Sequence, residues 1–184
     1  MNHLGTQELT SNRLILRRFT IDDTRAMYDN WASDPEVTTY LSWPTHQSEE
    51  ITATVLEDWV KSYEKSDYYQ WAITLKEHGP EPIGSIGVVR QSKSTSMLHI
   101  GYCLGKPWWR QGITSEALKT VIDFLFTEVE ANRIEARFDP RNANSGKVMQ
   151  ACGMTCEGTM RQADRNNQGI CDAACYAILR ADIQ

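Results

Sequence analysis

The chain of 184 residues predicts an α+β fold, a mostly antiparallel sheet of seven strands with helices on its faces. Three observations predict it. Hydrophobic spacing switches between period two and period 3.6 along the chain, the signature of alternating strands and amphipathic helices. The resulting order is β-α-α-β-β-β-α-β-α-β-β, in which runs of strands joined by tight turns require antiparallel pairing. Length and composition, 41% hydrophobic and 23% charged residues, fit one domain over 1–184 with a sizeable core.

Arg13-Leu-Ile-Leu-Arg-Arg-Phe19 reads as the first strand, with Leu14 and Leu16 on one face. Thr20-Ile-Asp-Asp23 places a side-chain acceptor at an N-cap and an acid three residues on, a capping box. The helix it starts carries Ala26, Met27 and Trp31. A short helical turn is expected over Asp34–Leu41, with Pro35 at its first position. A second long helix is expected from about Gln47 to Tyr63, with Ile51, Val55, Leu56, Trp59 and Tyr63 inward. Period two then takes over at Tyr69, Trp71, Ile73 and Leu75. Gly79–Pro82 makes a turn, Ile83–Val89 a strand, Arg90–Ser96 another turn and Met97–Leu104 a further strand. A helix from Ile113 to about Glu130 buries Ala117, Leu118, Val121, Ile122, Leu125 and Phe126 at 3.6 spacing. Arg133–Phe138 alternates as a strand. Asn142 is a plausible N-cap for a short helix that stops at Gly153, a C′ residue. Met154–Arg161 and Cys171–Leu179 close the chain as a hairpin around Arg165–Gly169.

Net charge is −5, which argues against sequence-independent binding of DNA or RNA, since that needs a basic face. The same field mildly favours a cationic substrate. No apolar run approaches the roughly 18 residues of a membrane span, and the first residues carry no basic start or apolar stretch of a secretory signal. A cytoplasmic protein with no membrane partner is therefore expected. The five cysteines, Cys103, Cys152, Cys156, Cys171 and Cys175, then read as reduced thiols. Equal gaps in the pairs Cys152/Cys156 and Cys171/Cys175 raise a zinc site, but Cys171 and Cys175 lie in a strand-like apolar run. Buried structural thiols and no metal are expected. His3, His46, His78 and His99 are scattered.

The richest segment is Gly105-Lys-Pro-Trp-Trp-Arg-Gln-Gly-Ile-Thr-Ser-Glu-Ala-Leu-Lys119. It follows the strand Leu98–Leu104 and opens a helix. The first N–H groups of a helix lack intrahelical partners, and the macrodipole makes that end positive. Such an end binds phosphate, and Gly112 lets backbone approach a ligand.

Four segments, in order and at spacing, resemble the GNAT superfamily of acyl-CoA-dependent N-acetyltransferases. They are Arg13-Leu-Ile-Leu-Arg17, Ile83-Gly-Ser-Ile-Gly87, Ile100-Gly-Tyr-Cys-Leu104 with Trp109-Arg-Gln-Gly-Ile-Thr-Ser-Glu-Ala117, and Asn142-Ala-Asn-Ser145 through Gly153-Met154 and Glu157-Gly158. The resemblance covers nearly the whole chain and is strongest to the Rim-type branch, which acetylates N-termini of ribosomal proteins. It implies a splayed central strand pair and acetyl-CoA as cosubstrate. By position, amides of Gln111, Gly112, Ile113 and Thr114 would cradle the pyrophosphate, with Arg110 as a nearby positive charge. Trp109 stands where the family pattern has Gln or Arg, and Thr114 where it has a small residue. Backbone groups of Tyr102, Cys103 and Leu104 would pair with the pantetheine arm as an added strand does. Asn142 would contact the cofactor and Ser145 would protonate the leaving thiolate, unless both merely cap a helix.

Many relatives have Glu just before Ile-Gly-Tyr. This chain has His99 there, a competent base near neutral pH. Glu157 is a second candidate, and a carboxylate network or attack by an already neutral amine are others. An amine on an alkyl or peptide stem packs on aromatic faces, so Trp31, Tyr40, Trp43 and Tyr68 are expected as the acceptor wall, with Trp31 equally readable as core. The resemblance implies transfer of an acetyl group to a primary amine, such as a ribosomal-protein N-terminus. Polyamine, amino-acid or antibiotic acceptors and a non-catalytic acyl-CoA-binding module are the alternatives. It also implies a homodimer, for which six Trp and seven Tyr offer interface aromatics.

Overall fold

The computed structural model describes residues 1–183. Its strands are β1 (Leu9–Thr10), β2 (Leu14–Arg17), β3 (Gln70–Leu75), β4 (Pro82–Ser92), β5 (Met97–Leu104), β6 (Arg133–Phe138), β7 (Thr155–Asn166) and β8 (Gly169–Leu179). They form one eight-stranded sheet in the order β1-β2-β3-β4-β5-β6-β8-β7. All neighbours are antiparallel except β5 and β6. The strand beyond the expected seven is β1, two residues long and too short to show a period.

Helices α1 (Thr24–Met27), α2 (Pro35–Thr38) and α3 (Glu49–Ser62) follow the first strands, α4 (Ile113–Thr127) follows β5, and α5 (Ala143–Ala151) follows β6. The Thr20/Asp23 capping box is formed, with Thr20 N–H on Asp23 Oδ2 at 2.8 Å. A wider turn, Tyr28–Ala32, continues α1. On α3 the fully buried residues are Thr52 and Leu56, whereas Ile51, expected inward, is exposed. Val55, Trp59 and Tyr63 pack inward with Leu56 as expected, and at the first turn Thr52 takes the inward place instead of Ile51, with its Oγ1 2.8 Å from Nδ1 of buried His46.

Two apolar layers result. Residues Leu98, Ile100 and Leu104 of β5 join Ala117, Leu118, Val121 and Leu125 of α4 on one face of the sheet. On the other face Phe19, Met27, Trp31 and Leu56 pack over Ala72 of β3, with Cys103 of β5 against them. Burying a large side chain of this kind stabilises by about 1.5–3 kcal/mol. Gly146 is required for α5 to lie close on β6, since a Cβ there would fall 2.5 Å from the Phe138 ring.

The parallel β5–β6 ladder is short. It joins Met97, Leu98 and His99 to Arg133, Ile134 and Glu135 and goes no further. Beyond it the two strands diverge, β5 toward Leu104 and β6 toward Phe138, which leaves a gap in the middle of the sheet. That is the expected splayed pair. Of the cysteines only Cys171 is buried, and Cys156 is exposed on β7. The expectation of uniformly buried thiols fails there because β7 is an edge strand whose residues Thr155–Arg165 all reach solvent. Among the described residues no group of His, Cys, Asp and Glu could hold a metal, and no helix is long and apolar enough to cross a membrane.

Candidate active site

The loop between β5 and α4 is built to present helix amides. Gly112 is the N-cap of α4 with φ 74° and ψ 4°, a left-handed conformation that favours glycine. The first backbone bond of the helix runs from Glu116 N–H to Gly112 O at 3.0 Å. The amides of Ile113, Thr114 and Ser115 therefore precede the ladder, and no side chain caps them. Glu116, whose carboxylate could have competed for that end, is drawn away. It accepts from Ser11 Oγ at 2.6 Å, Arg13 N at 2.8 Å and Arg13 Nε at 2.7 Å. Arg13 also donates to Gln111 O at 3.0 Å, so β2's approach braces the loop. Burial would raise the Glu116 carboxyl, but these bonds outweigh it and hold the group ionised below its usual range.

Ile113, Thr114 and Ser115 face a cleft of ≈ 860 Å³ that also takes in Tyr102, Cys103 and Leu104 of β5 and Asn142, Ser145 and Val148 around α5. Its third side is α2 and the residues after it, Glu36 to Leu41. The cleft thus opens into the gap between β5 and β6. Gly105 N–H donates to Ile83 O at 2.9 Å, which makes the Gly84–Leu104 pair one of the non-hydrogen-bonded pairs of the ladder. By alternation, Cys103 spends its backbone groups on β4, while those of Tyr102 and Leu104 face the gap. One is already used, because Trp109 Nε1 donates to Leu104 O at 2.6 Å. Of the three residues expected to offer an edge to a ligand, Tyr102 and the Leu104 N–H turn backbone groups to the gap, and Cys103 does not. Trp109 replaces an expected Gln or Arg with a brace.

At the floor of the cleft the Tyr102 hydroxyl lies 3.1 Å from both the carbonyl and the Oγ of Ser145. Burial pushes the Tyr102 phenol far above its ordinary range, offset only in part by Ser145, so it stays protonated. Asn142 holds the N-cap position of α5 through its carbonyl, which accepts from Ser145 N–H at 3.0 Å, but its side chain makes no cap bond and the residue lines the cleft. Arg110 and Lys147 line the same cleft and form no ion pair among the described residues. The sequence reading missed the Tyr102 hydroxyl, because a strand tyrosine next to apolar residues reads as core.

His99 and Glu157 lie outside this lining. His99 is on the opposite face of β5, where the ladder to β6 ends. Its Nδ1 is 3.1 Å from Glu135 Oε1, and its side chain is 12% exposed. Burial lowers the imidazole below its ordinary value, with Glu135 pulling the other way. Glu157 stands on β7, beyond β8 from the gap. It accepts from Arg133 Nη1 at 2.7 Å, which keeps its carboxylate below the usual range and makes it a weak base.

Of the expected aromatic wall, only Tyr40 lines the cleft, with the Arg141 guanidinium 5.9 Å from its ring. Trp31 is fully buried beside Phe19. Trp43 packs on His46 at 5.1 Å, and Tyr68 sits edge-on to Tyr63 at 5.5 Å. The other aromatics that line the cleft are Tyr102, Trp108 and Trp109. The place of the two tryptophans inside the glycine loop is the signal that could have found them.

A family model described as "Acetyltransferase (GNAT) domain" matches residues 13–155. The chain belongs to the GNAT acetyltransferase family. This acetyltransferase is 28% identical over 176 residues to the uncharacterized N-acetyltransferase p20 of Bacillus licheniformis, covering 96% of this chain and 98% of that protein. It is 30% identical over 138 residues to the ribosomal-protein-serine acetyltransferase of Escherichia coli, covering 74% and 75% of the two chains. Its fold superposes with a TM-score of 0.83, at 23% identity, on an acetyltransferase of Bacillus anthracis, covering 95% and 99%. RimL, a ribosomal L7/L12 α-N-protein acetyltransferase solved with coenzyme A, superposes at 0.82 with 21% identity, covering 94% and 98%.

Proposed function

We propose that this acetyltransferase takes its acetyl group from acetyl-CoA and transfers it to a primary amine, and that the acceptor is the N-terminal amine of a protein. One observation carries the reading. The uncapped N-terminus of α4, the unpaired edge of β5 and the Tyr102–Ser145 hydroxyl pair all face one cleft. These fit a phosphate, a strand-like arm and a thiolate in succession. The acceptor class is supported by the ribosomal-protein acetyltransferases among its relatives.

Acetyl-CoA supplies a thioester, and the chain's residues supply the rest. The amides of Ile113, Thr114 and Ser115, with Arg110 and Lys147 beside them, hold the pyrophosphate by charge and direction. Tyr102 and Leu104 pair the pantetheine amides as an edge strand would, and Asn142 adds a side-chain amide. The Tyr102 O–H donates to the Ser145 carbonyl and holds the start of α5, and the Ser145 hydroxyl beside it turns its proton to the sulfur as charge develops there. On the other face His99, neutral and oriented by Glu135, accepts the proton of the incoming ammonium directly or through a water. Glu135 acts through His99 and is a positioning residue.

The test is free coenzyme A release over a panel of amines, with ribosomal N-terminal peptides, polyamines and amino acids each present. Turnover with peptides above the others is the expected result. Turnover confined to polyamines or antibiotics would reassign the acceptor. Acetyl-CoA binding with no turnover on any amine would leave a binding module.

A further inference from the structure

The face of the sheet that His99 occupies carries a row of charged side chains on β6. There β6 presents every second residue, Arg133, Glu135 and Arg137, while Ile134, Ala136 and Phe138 turn toward α4 and α5. Glu135 gathers the cations. It accepts from Arg90 at 2.9 Å, His99 at 3.1 Å and Arg133 at 3.2 Å. Burial would raise its carboxyl, but these bonds keep it ionised. Arg133 is shared with Glu157. Arg137 is the one left over. Among the described residues its Nε is buried with no hydrogen-bond partner, and its ion pair to Glu135 Oε1 is long, at 3.5 Å. Three guanidiniums therefore face two carboxylates in this cluster. With His99 neutral, the patch is locally positive in a chain of net charge −5.

The position of Arg137 gives that surplus a use. It lies two residues beyond Glu135, where the β5–β6 ladder has ended, so it flanks the gap through which an amine would reach the cleft. Continuing the register places Gly101, which has no side chain, opposite it. The orphaned Nε shows that its own neighbours do not saturate this guanidinium, and with the side chain 25% exposed its terminal N–H groups are the ones to take a carboxylate in a charge-assisted bond. Resting on the amine-acetylation reading above, we propose that Arg137 binds a carboxylate of the acceptor, and so selects amines that carry an anion close to the amino group. The carboxylate is either the acceptor's own α-carboxylate or an acidic side chain next to a peptide N-terminus. Arg137 is a specificity residue in this assignment, and it explains how an acidic chain recognises something other than a simple polycation.

Two matched pairs of acceptors test it, glycine against glycinamide and Gly-Asp-amide against Gly-Asn-amide. Wild-type enzyme is expected to prefer the anionic member of one pair by about ten- to a hundredfold in kcat/KM, the usual span for a hydrogen bond to a charged group. The pair that shows it names the source of the carboxylate. Arg137→Gln is expected to reduce that ratio to near unity, chiefly through KM, and Arg137→Lys to keep part of it. The amines of a pair differ in basicity, glycine being the stronger base, so kcat/KM is referred to the neutral amine; basicity and any effect of the substitution on His99 then cancel in the ratio. A ratio unchanged by Arg137→Gln, or a wild-type enzyme indifferent to the anion, overturns the proposal while leaving amine acetylation intact. Absence of turnover on every amine would instead count against the acetylation reading. In that event NMR titration of the same four compounds into the protein with coenzyme A decides the matter for Arg137. Selective weakening of the anionic members in Arg137→Gln supports it, and equal binding by wild type and variant overturns it.

Discussion

In the proposed reaction the use of the Ser145 hydroxyl depends on the hydroxyl beside it. Tyr102 is too deeply buried to ionise and too close to Ser145 to be ignored. Ser145→Ala is expected to lower kcat more than it raises the KM for acetyl-CoA, the pattern of an interaction made mainly in the transition state. Tyr102→Phe should lower kcat in the same direction and add little to the Ser145→Ala loss in the double variant, because the pair acts as one unit. Steady-state kinetics of the three variants checks both points, and independent, additive losses would break the coupling. Gly112 answers to conformation rather than space, since the nearest atom to an added Cβ is Arg13 Nη2 at 3.6 Å. Acetyl-CoA at about 100 times its Kd stabilises by roughly 2.7 kcal/mol, a Tm rise of roughly 5–10 °C for a chain of this size. Gly112→Val, forced out of φ 74°, should lose most of that rise in a thermal melt. For His99 the sign follows from its lowered pKa. The base is competent once deprotonated, so kcat should climb with pH along a limb centred below the ordinary imidazole value near 6.5, and His99→Gln should remove that limb.

The short segment from β6 to α5 and the tip of the β7–β8 hairpin hold each other through Asp139. Its carboxylate, with a side chain 2% exposed, accepts from Arg141 Nε at 3.0 Å and from Asn166 Nδ2 at 2.8 Å. Asn167 then clips the hairpin tip to the end of α2 and the residues after it, donating to Thr38 O and Trp43 O, each at 2.8 Å. The Arg141 bond holds the Asp139 pKa far below its ordinary value. A depressed carboxyl stabilises above the unfolded pKa, about 3.9, and the benefit is lost as pH falls below it. Asp139→Asn should therefore cost roughly 2 kcal/mol near neutrality and leave a shallower acid limb, measured by urea unfolding between about pH 6 and 3. Equal pH dependence in the two proteins would count against it. Local elements such as the Thr20 cap, the α4 stripe and the glycine loop were legible in the sequence because their causes lie within a few residues of each other. The wall aromatics were not. Helical spacing shows that Trp31 has an inward face, but not which layer covers it, and the contact that removes it from the cleft comes from Phe19. The hairpin was anticipated but runs longer than its apolar pattern, since β7 is exposed from Thr155 to Arg165 and leaves no alternation to read. Arg137 and Glu135 were visible as a period-two pattern of charge on β6, yet only the end of the β5–β6 ladder gives that pattern a location.

At the scale of the whole molecule, β7 stands out as an exposed outer strand of 12 residues, a length of edge that folded proteins usually cover or blunt. Met160 and Ile170 are exposed on the same hairpin. Together with the homodimer that the resemblance implies, this leads us to expect sedimentation at twice the 21.0 kDa chain mass at tens of micromolar. Substituting Lys for Met160 should shift the equilibrium toward the single chain, and a lone chain at that concentration would remove the expectation. The sheet itself has a mechanical peculiarity. Its two plates, β1 to β5 and β6 to β8, are welded in the middle by only three register pairs, and every other seam between full-length strands is longer. A substrate arm lying along the open part of that weld would bear load as a ninth strand does, stiffening the molecule across its weakest line. Each departure of such an arm would then remove a structural member and leave the enzyme between cycles the softer solid.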